Sequence, residues 1–388
     1  MYSPFWGGAE LAIKEITDRI SSDEIEFDMI TLRADAQLPR VERVGNITVY
    51  RVGPARKGIT YESLVHSPWY LIKTLYPLLA SWKAHSLHRH KPYDTMWCLM
   101  TYMGFPAVLA RMFGMRVPFV LTLQDGDTFS HITKRLRIKV VSPLLKKVFR
   151  DATRVQVISN YLGTFAKQMG YKGEPFLIPN GASVSEFLKS DIPSEQIRAE
   201  WGFSSEDIVL VSTSRLVHKN ALDIVIQALP LIPKKVHFIN LGLGPDRQKL
   251  EKLAEDLGVA HRVHLLDHPG LKKLPSYLRA SDIFIRPSRS EGFGTSFIEA
   301  MAAEIPVIAT QVGGIADFLF DAHRNPDVAT TGFAVDVDSP EDIARTVQHI
   351  LDSPDEVQTV VRNARKMVVE KYDWDVIARD IARVLHIT

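Results

Sequence analysis

The stretch that most constrains the fold is a strand–turn–helix–strand unit between residues 282 and 310. Asp282-Ile283-Phe284-Ile285-Arg286-Pro287-Ser288 reads as a short apolar buried strand, and Ile305-Pro306-Val307-Ile308-Ala309-Thr310 reads as another. Between them, Glu291-Gly292-Phe293-Gly294-Thr295-Ser296-Phe297-Ile298-Glu299-Ala300-Met301-Ala302 reads as a glycine-bearing turn and a short helix. Two carboxylates, Glu291 and Glu299, therefore flank a helix N-terminus. Eight helical residues rise about 12 Å. That separation suits two distant parts of one elongated ligand better than one metal ion or one acid/base pair. The helix N-terminus between them offers unpaired N–H groups and a positive dipole end, a seat for phosphate. The plain alternative is a turn and an amphipathic helix with solvated glutamates.

The unit repeats along the chain. Strand-like segments at Phe27–Leu32, Ile47–Arg51, Thr95–Leu99, Pro118–Leu123 and Thr153–Ser159 alternate with helical ones. The helices are a first one to about Ile20, an apolar and aromatic one over Leu64–His88, and Gly104–Phe113. Such alternation indicates a parallel sheet covered on both faces, with ligands beyond the carboxyl ends of the strands. Further strands are expected at Ile208–Thr213, Val236–Leu241 and Val263–Leu266. A serine-capped helix should start at Ser353-Pro354-Asp355-Glu356, and a last helix follows Tyr372-Asp373-Trp374.

At 388 residues, two domains are expected. The polar stretch near 183–200 places the boundary at 190, giving domains 1–190 and 191–369 and a final helix in 370–388. The single cysteine, Cys98, excludes an internal disulfide and a thiolate metal cluster, and it reads as a core filler. No apolar run reaches transmembrane length and no secretory signal is read, so a cytoplasmic location is expected. Residues 1–190 carry 25 Lys+Arg against 16 Asp+Glu, whereas the remainder carries 22 against 29. A basic half can serve nucleic acid, an anionic membrane or an anionic substrate. No nucleic-acid motif accompanies it, so nucleic acid is not expected as a partner. The segment Thr133–Arg150 holds Lys134, Arg135, Arg137, Lys139, Lys146, Lys147 and Arg150 with no acidic residue. It reads either as an interfacial helix on anionic lipid or as a packed helix with a solvated basic face.

Embedded in SRSEGFGTSFIEAMAAEIPVIATQVGGI, the two glutamates resemble the signature of the retaining, nucleotide-sugar-dependent glycosyltransferases of family four. The resemblance implies the GT-B fold: two Rossmann-like α/β domains facing a cleft, the N-terminal one for the acceptor and the C-terminal one for the donor. It implies that Glu291 contacts sugar hydroxyls and Glu299 the ribose. Backbone around Phe293, Gly294 and Thr295 would hold the sugar and its phosphates. Arg215 and Lys219 match the family's pair of cations for the diphosphate, where charge develops as the sugar leaves. Gly242-Leu243-Gly244-Pro245 resembles the family's G-x-G-P turn, and Asp267-His268-Pro269-Gly270 would border the base.

Three departures mark the N-terminal half. Family members carry a strand immediately before the glycine pair Gly7-Gly8, and here that first strand is expected to be missing. Gly7 and Gly8 read equally as a phosphate loop or as a structural turn. Where many members place a histidine, this chain has Gln124, which can bond a hydroxyl but cannot take a proton. Asp125 and Asp127 follow it. Asp125-Gly126-Asp127 looks like a D-x-D metal motif, but a capped turn or a sugar or acceptor contact is favoured. No metal or cofactor is expected. The activity implied is front-face transfer of a hexose-type sugar, from a UDP-, GDP- or similar nucleotide-sugar, to a glycan or lipid-linked hydroxyl. A nucleotide-sugar epimerase and an inactive nucleotide-binding module are the alternatives.

Overall fold

The computed structural model describes residues 2, 8–33, 35–57, 69–126, 136–189 and 191–387, with the side chains of 69, 70 and 136–140 left aside. The chain divides into two compact units, one of residues 1–125, 129–180 and 374–388, the other of 126–128 and 181–373.

In the second unit the strands are β8 (Ile208–Ser212), β9 (Val236–Leu241), β10 (Val263–Leu266), β11 (Ile283–Arg286), β12 (Val307–Ala309) and β13 (Phe333–Ala334). They form one sheet in the order β10-β9-β8-β11-β12-β13, parallel throughout. Strands β8, β9 and β11 are almost entirely buried, as expected for a sheet with helices on both faces. The order runs outward in both directions from β8 and β11, so the topological switch point lies between those two strands. Phe238, Ile283 and Ile285 pack there with Val225 and Ile226 of the helix Leu222–Ala228.

The first unit holds β1 (Phe27–Leu32), β2 (Val41–Val44), β3 (Ile47–Val52), β4 (Met96–Leu99), β5 (Phe119–Leu123), β6 (Arg154–Val157) and β7 (Phe176–Leu177). Here the sheet is in two pieces, β1-β3-β2 and β4-β5-β6-β7. Among the described residues no strand precedes the helix Gly8–Arg19, and none joins β1 to β4. Side chains close the gap instead. The rings of Phe27 on β1 and Trp97 on β4 lie 6.1 Å apart. Tyr2 is buried among Ile13, Ile47 and Val49, with Phe27, Met29 and Leu99 packed against them.

The last helix, Trp374–Leu385, belongs to the first unit and packs on Gly8–Arg19. Its Ile377, Ala378 and Ile381 meet Ala12, Ile16 and Ile20. Arg154 Nη1 donates to the carbonyls of Arg383, Val384 and His386 at 2.9–3.1 Å, satisfying the helix C-terminus.

Two local expectations are corrected. The helix Pro354–Lys371 starts where expected, but Ser353 makes no capping hydrogen bond. Ser339 caps the preceding helix, Pro340–Asp352, accepting from Asp342 N at 3.2 Å. Strands β2 and β13 are additional to those read from the sequence, being four and two residues long. In the helix Leu136–Asp151, Leu145, Val148 and Phe149 are buried, while Lys146 and Arg150 are exposed and Lys147 pairs with Asp151 at 2.7 Å. Its described half is a packed helix with a basic outer face. Lys134 and Arg135 lie outside the described residues.

Candidate active site

The carboxyl ends of β8 and β11 carry the second unit's polar residues. After β8 the chain continues through Thr213, Ser214 and Arg215 to a short 3-10 turn, His218–Asn220. The next residue, Ala221, is fully buried at φ 54°. A left-handed alanine costs roughly 1–2 kcal/mol, and core packing holds it, which fixes the direction of the turn bearing Lys219. Arg215 is exposed, and its carbonyl accepts from Asn220 Nδ2 at 2.7 Å. Lys219 Nζ donates to the carbonyl of Gly126, which groups with this unit, at 3.2 Å. A Cβ built on Gly126 would sit 2.9 Å from Lys219 Nζ and 3.5 Å from Glu291 Oε1. The cation and the first carboxylate therefore converge on one point.

After β11 the turn reaches Glu291. Its Oε1 accepts from its neighbour's backbone, Gly292 N–H, at 3.0 Å, and its Oε2 accepts from Arg286 Nη2 at 2.9 Å. Arg286 Nη1 donates to Ser296 Oγ at 2.8 Å, and the guanidinium lies 4.2 Å from the ring centre of Phe297. Gly294 precedes the helix Thr295–Ala302 at φ 93° with no side-chain cap on that N-terminus. A side chain there would be strained, and its Cβ would lie 2.5 Å from Phe297. Phe293 points into the core, its ring 5.3 Å from Phe318 and 5.7 Å from Tyr372, so only its backbone lies on the turn's surface. Gly314 N–H donates to the Glu291 carbonyl at 3.1 Å, bracing the turn from the loop after β12.

Glu299 sits one turn along the helix. Burial raises its carboxyl to about 7, and the nearby Arg286 charge opposes that rise. Burial also draws the Arg286 guanidinium below its ordinary value, against the pull of both glutamates. Among the described residues, Thr213 Oγ1, Arg286 Nε and Ser288 Oγ are buried without a hydrogen-bond partner. All three lie at the carboxyl ends of the two switch-point strands. Clustered orphans of this kind are uncommon in a finished core.

Of the residues singled out by sequence, Arg215, Lys219, Glu291, Phe293 and Gly294 lie on these two adjoining loops, and Thr295 and Glu299 on the helix that follows the second. Gln124, Asp125 and Gly8 belong to the first unit. There Asp125 Oδ2 accepts from Thr101 Oγ1 at 2.9 Å, and Gln124 Nε2 donates to Asn180 Oδ1 at 3.4 Å. Gly8 is exposed at the start of its helix. Gly7 and Asp127 lie outside the described residues. No group of three His, Cys, Asp or Glu among the described residues could hold a metal ion.

Two arginines at the site escaped the sequence reading. Arg286 was absorbed into an apolar strand, where an arginine aimed into a core was itself the signal. Arg289 donates its N–H to the Lys219 carbonyl at 2.8 Å, tying the two loops together. Its guanidinium is bidentate to Asp223 at 2.7 and 2.9 Å and reaches Asp338 at 2.6 Å. These bonds hold it above its ordinary pKa. Its partners lie 49 and 66 residues away, beyond the reach of a local motif.

The family models agree with this geometry. Residues 7–181 match the glycosyl transferase 4-like domain, and residues 193–367 match the glycosyl transferases group 1 domain. An uncharacterized glycosyltransferase of Methanocaldococcus jannaschii is 25% identical over 394 residues, covering 98% of this chain and 94% of its own. The GDP-mannose-dependent α-(1-6)-phosphatidylinositol monomannoside mannosyltransferase of Mycobacterium tuberculosis is 28% identical over 271 residues, 67% of this chain and 68% of that one. The Anabaena protein HepE, solved with UDP and glucose, shares the fold with a TM-score of 0.78 at 20% identity, over 99% of this chain and 97% of that one. Two Rossmann-like units, each matched by a glycosyltransferase family model, thus define a glycosyltransferase of the GT-B fold. The chain belongs to the glycosyl transferases group 1.

Proposed function

We propose that this enzyme moves a hexose-type sugar from a nucleoside-diphosphate sugar to a hydroxyl of a lipid-linked or glycan acceptor, with retention of anomeric configuration. The observation that carries the reading is the convergence of Lys219 Nζ and the Glu291 carboxylate beside an uncapped helix N-terminus. Arg215, Lys219 and the N–H groups at Thr295 meet the negative charge that grows on the leaving diphosphate. No metal is required in this scheme. Glu291 orients the sugar and Glu299 the ribose. No side chain serves as nucleophile: the departing phosphate takes the acceptor's proton as the new glycosidic bond forms on the face it leaves. Gln124, Asp125, Gly7 and Gly8 are proposed as donor contacts from the first unit.

The acceptor class rests on the charge balance and on relatives. Residues 51–150 hold 16 basic and 4 acidic residues. The mycobacterial relative's name specifies a phosphatidylinositol mannoside, and another relative is named α-monoglucosyldiacylglycerol synthase. A place at the inner face of the membrane, touching anionic lipid, fits both. No helix among the described residues is long and apolar enough to cross a bilayer.

The test is a thermal shift against UDP, GDP, ADP and dTDP with their sugar nucleotides. Nucleotide release is then followed with and without acceptor and with EDTA. A ligand at 100 times its Kd adds about 2.7 kcal/mol, enough to move a melting curve. One responsive nucleotide, acceptor-dependent and EDTA-insensitive turnover, and a product of unchanged anomeric configuration are expected. Turnover that ignores the acceptor would point to an epimerase. No shift with any nucleotide overturns the reading.

A further inference from the structure

Arg286 is the residue at the site whose presence the strand does not explain. It ends β11, where its neighbours Ile283, Phe284 and Ile285 are fully buried, and it is itself only 5% exposed. Burying a guanidinium is costly unless every part of it is matched. Here its two terminal nitrogens reach the two ends of one turn, Glu291 at the start and Ser296 at the helix's first turn, and its flat face covers Phe297, while Nε is left without a partner. The absent side chain at Gly294 leaves room for it, since a Cβ there would come within 2.9 Å of Arg286 Nη2.

We propose that Arg286 is a positioning residue for the donor sugar, acting through Glu291. It holds the Glu291 carboxylate in one orientation, with one oxygen bonded to the guanidinium and the other to Gly292 N–H. A carboxylate has about four acceptor sites. With one site used on each oxygen, each oxygen still presents one to the ligand. The pair is then set to accept from two neighbouring hydroxyls of one sugar ring, and it discriminates against a donor lacking either hydroxyl. Rejection of such an analogue follows from leaving a fixed, desolvated acceptor without its donor. Ser296, held by the other arm, keeps the helix start in register with the carboxylate.

The inference rests on the proposed donor reading, and its test separates the two. Wild type, Arg286→Met, Arg286→Lys, Glu291→Gln and the Arg286→Met/Glu291→Gln double variant are compared. The readouts are kcat and KM for the responsive sugar nucleotide, its deoxy-sugar analogue, and Kd for the bare nucleoside diphosphate. Melting curves confirm that each variant folds. Arg286→Met is expected to lose about tenfold or more in kcat/KM for the sugar nucleotide, and to lose selectivity over the deoxy analogue. Its Kd for the bare nucleotide should stay within about twofold, because that ligand carries no sugar. Arg286→Lys should recover part of the loss. In the Glu291→Gln background the methionine should cost little more, since a residue acting through another adds nothing once that other is removed. Additive losses, unchanged selectivity, or an equal loss in bare-nucleotide binding overturn the inference. Failure of wild type to bind any sugar nucleotide removes the donor reading, and this inference with it.

Discussion

At the scale of single residues, Glu299 shows how the site opposes stability. Its folded-state pKa of about 7 stands above the ordinary 4.5, because burial disfavours the charged form. Between those values the folded protein holds a proton that the unfolded chain has released. Stability from this group is therefore complete below about pH 4.5 and is lost as pH rises through 7. Glu299→Gln, neutral at every pH, should melt above wild type at pH 8, by on the order of 1–2 kcal/mol, with the gap closing toward pH 5. The same variant should bind nucleotide more weakly at pH 8, where a carboxylate accepts from two hydroxyls and an amide oxygen alone does not replace it. A melting difference that does not change with pH would remove the buried-carboxylate account. Glu291 and Glu299 were legible in the sequence because one turn and one helix carry both. Arg289 was not, since its carboxylate partners come from other elements.

At the scale of elements, the Glu291 turn is braced from the loop after β12. Gly314 packs so closely that a Cβ there would lie 2.1 Å from the Gly292 carbonyl oxygen. Gly314→Ala must push that turn outward. A cost of about 1–3 kcal/mol is expected from overpacking, with at least a tenfold loss of sugar-nucleotide affinity, measured by urea melts and titration. Unchanged affinity would mean that the turn's position does not matter to the donor. The adjacent Gly313 and Gly314 permit a close backbone approach, but their order in the sequence does not say which backbone approaches. Long strands and helices were readable from apolar periodicity. β2 and β13 were not: β2, Val-Glu-Arg-Val, has no buried residue, and β13 is two residues long. Ser353 failed as a cap because a Ser-Pro-Asp-Glu string specifies the residue types but not the backbone angles that aim the hydroxyl.

At the scale of the whole molecule, chain order and packing order diverge. The last helix described, 374–385, completes the core of the unit that holds the first helix, so the first unit cannot be finished until residue 385 has been made. Ile381, 2% exposed among Ala12, Ile16 and Ile20, supplies a direct probe. Ile381→Ala should destabilise the first unit by about 2–5 kcal/mol, read from urea melts. An unchanged melt would remove this helix from that core's support. The α/β alternation was legible from residue order, but the order of strands within each sheet was not, because strand pairing is a long-range property. Sheet β8–β13 runs without a break through its switch point, whereas among the described residues no ladder joins β1 to β4 and side chains make the contacts between them, the Phe27 and Trp97 rings 6.1 Å apart. Side-chain packing can slide and breathe where a ladder of amide bonds cannot. The gap-facing edges of β1 and β4 should therefore trade their amide protons for deuterium well before β5 or β11, opening as a seam through which the β1–β3 layer can part from the rest of its unit.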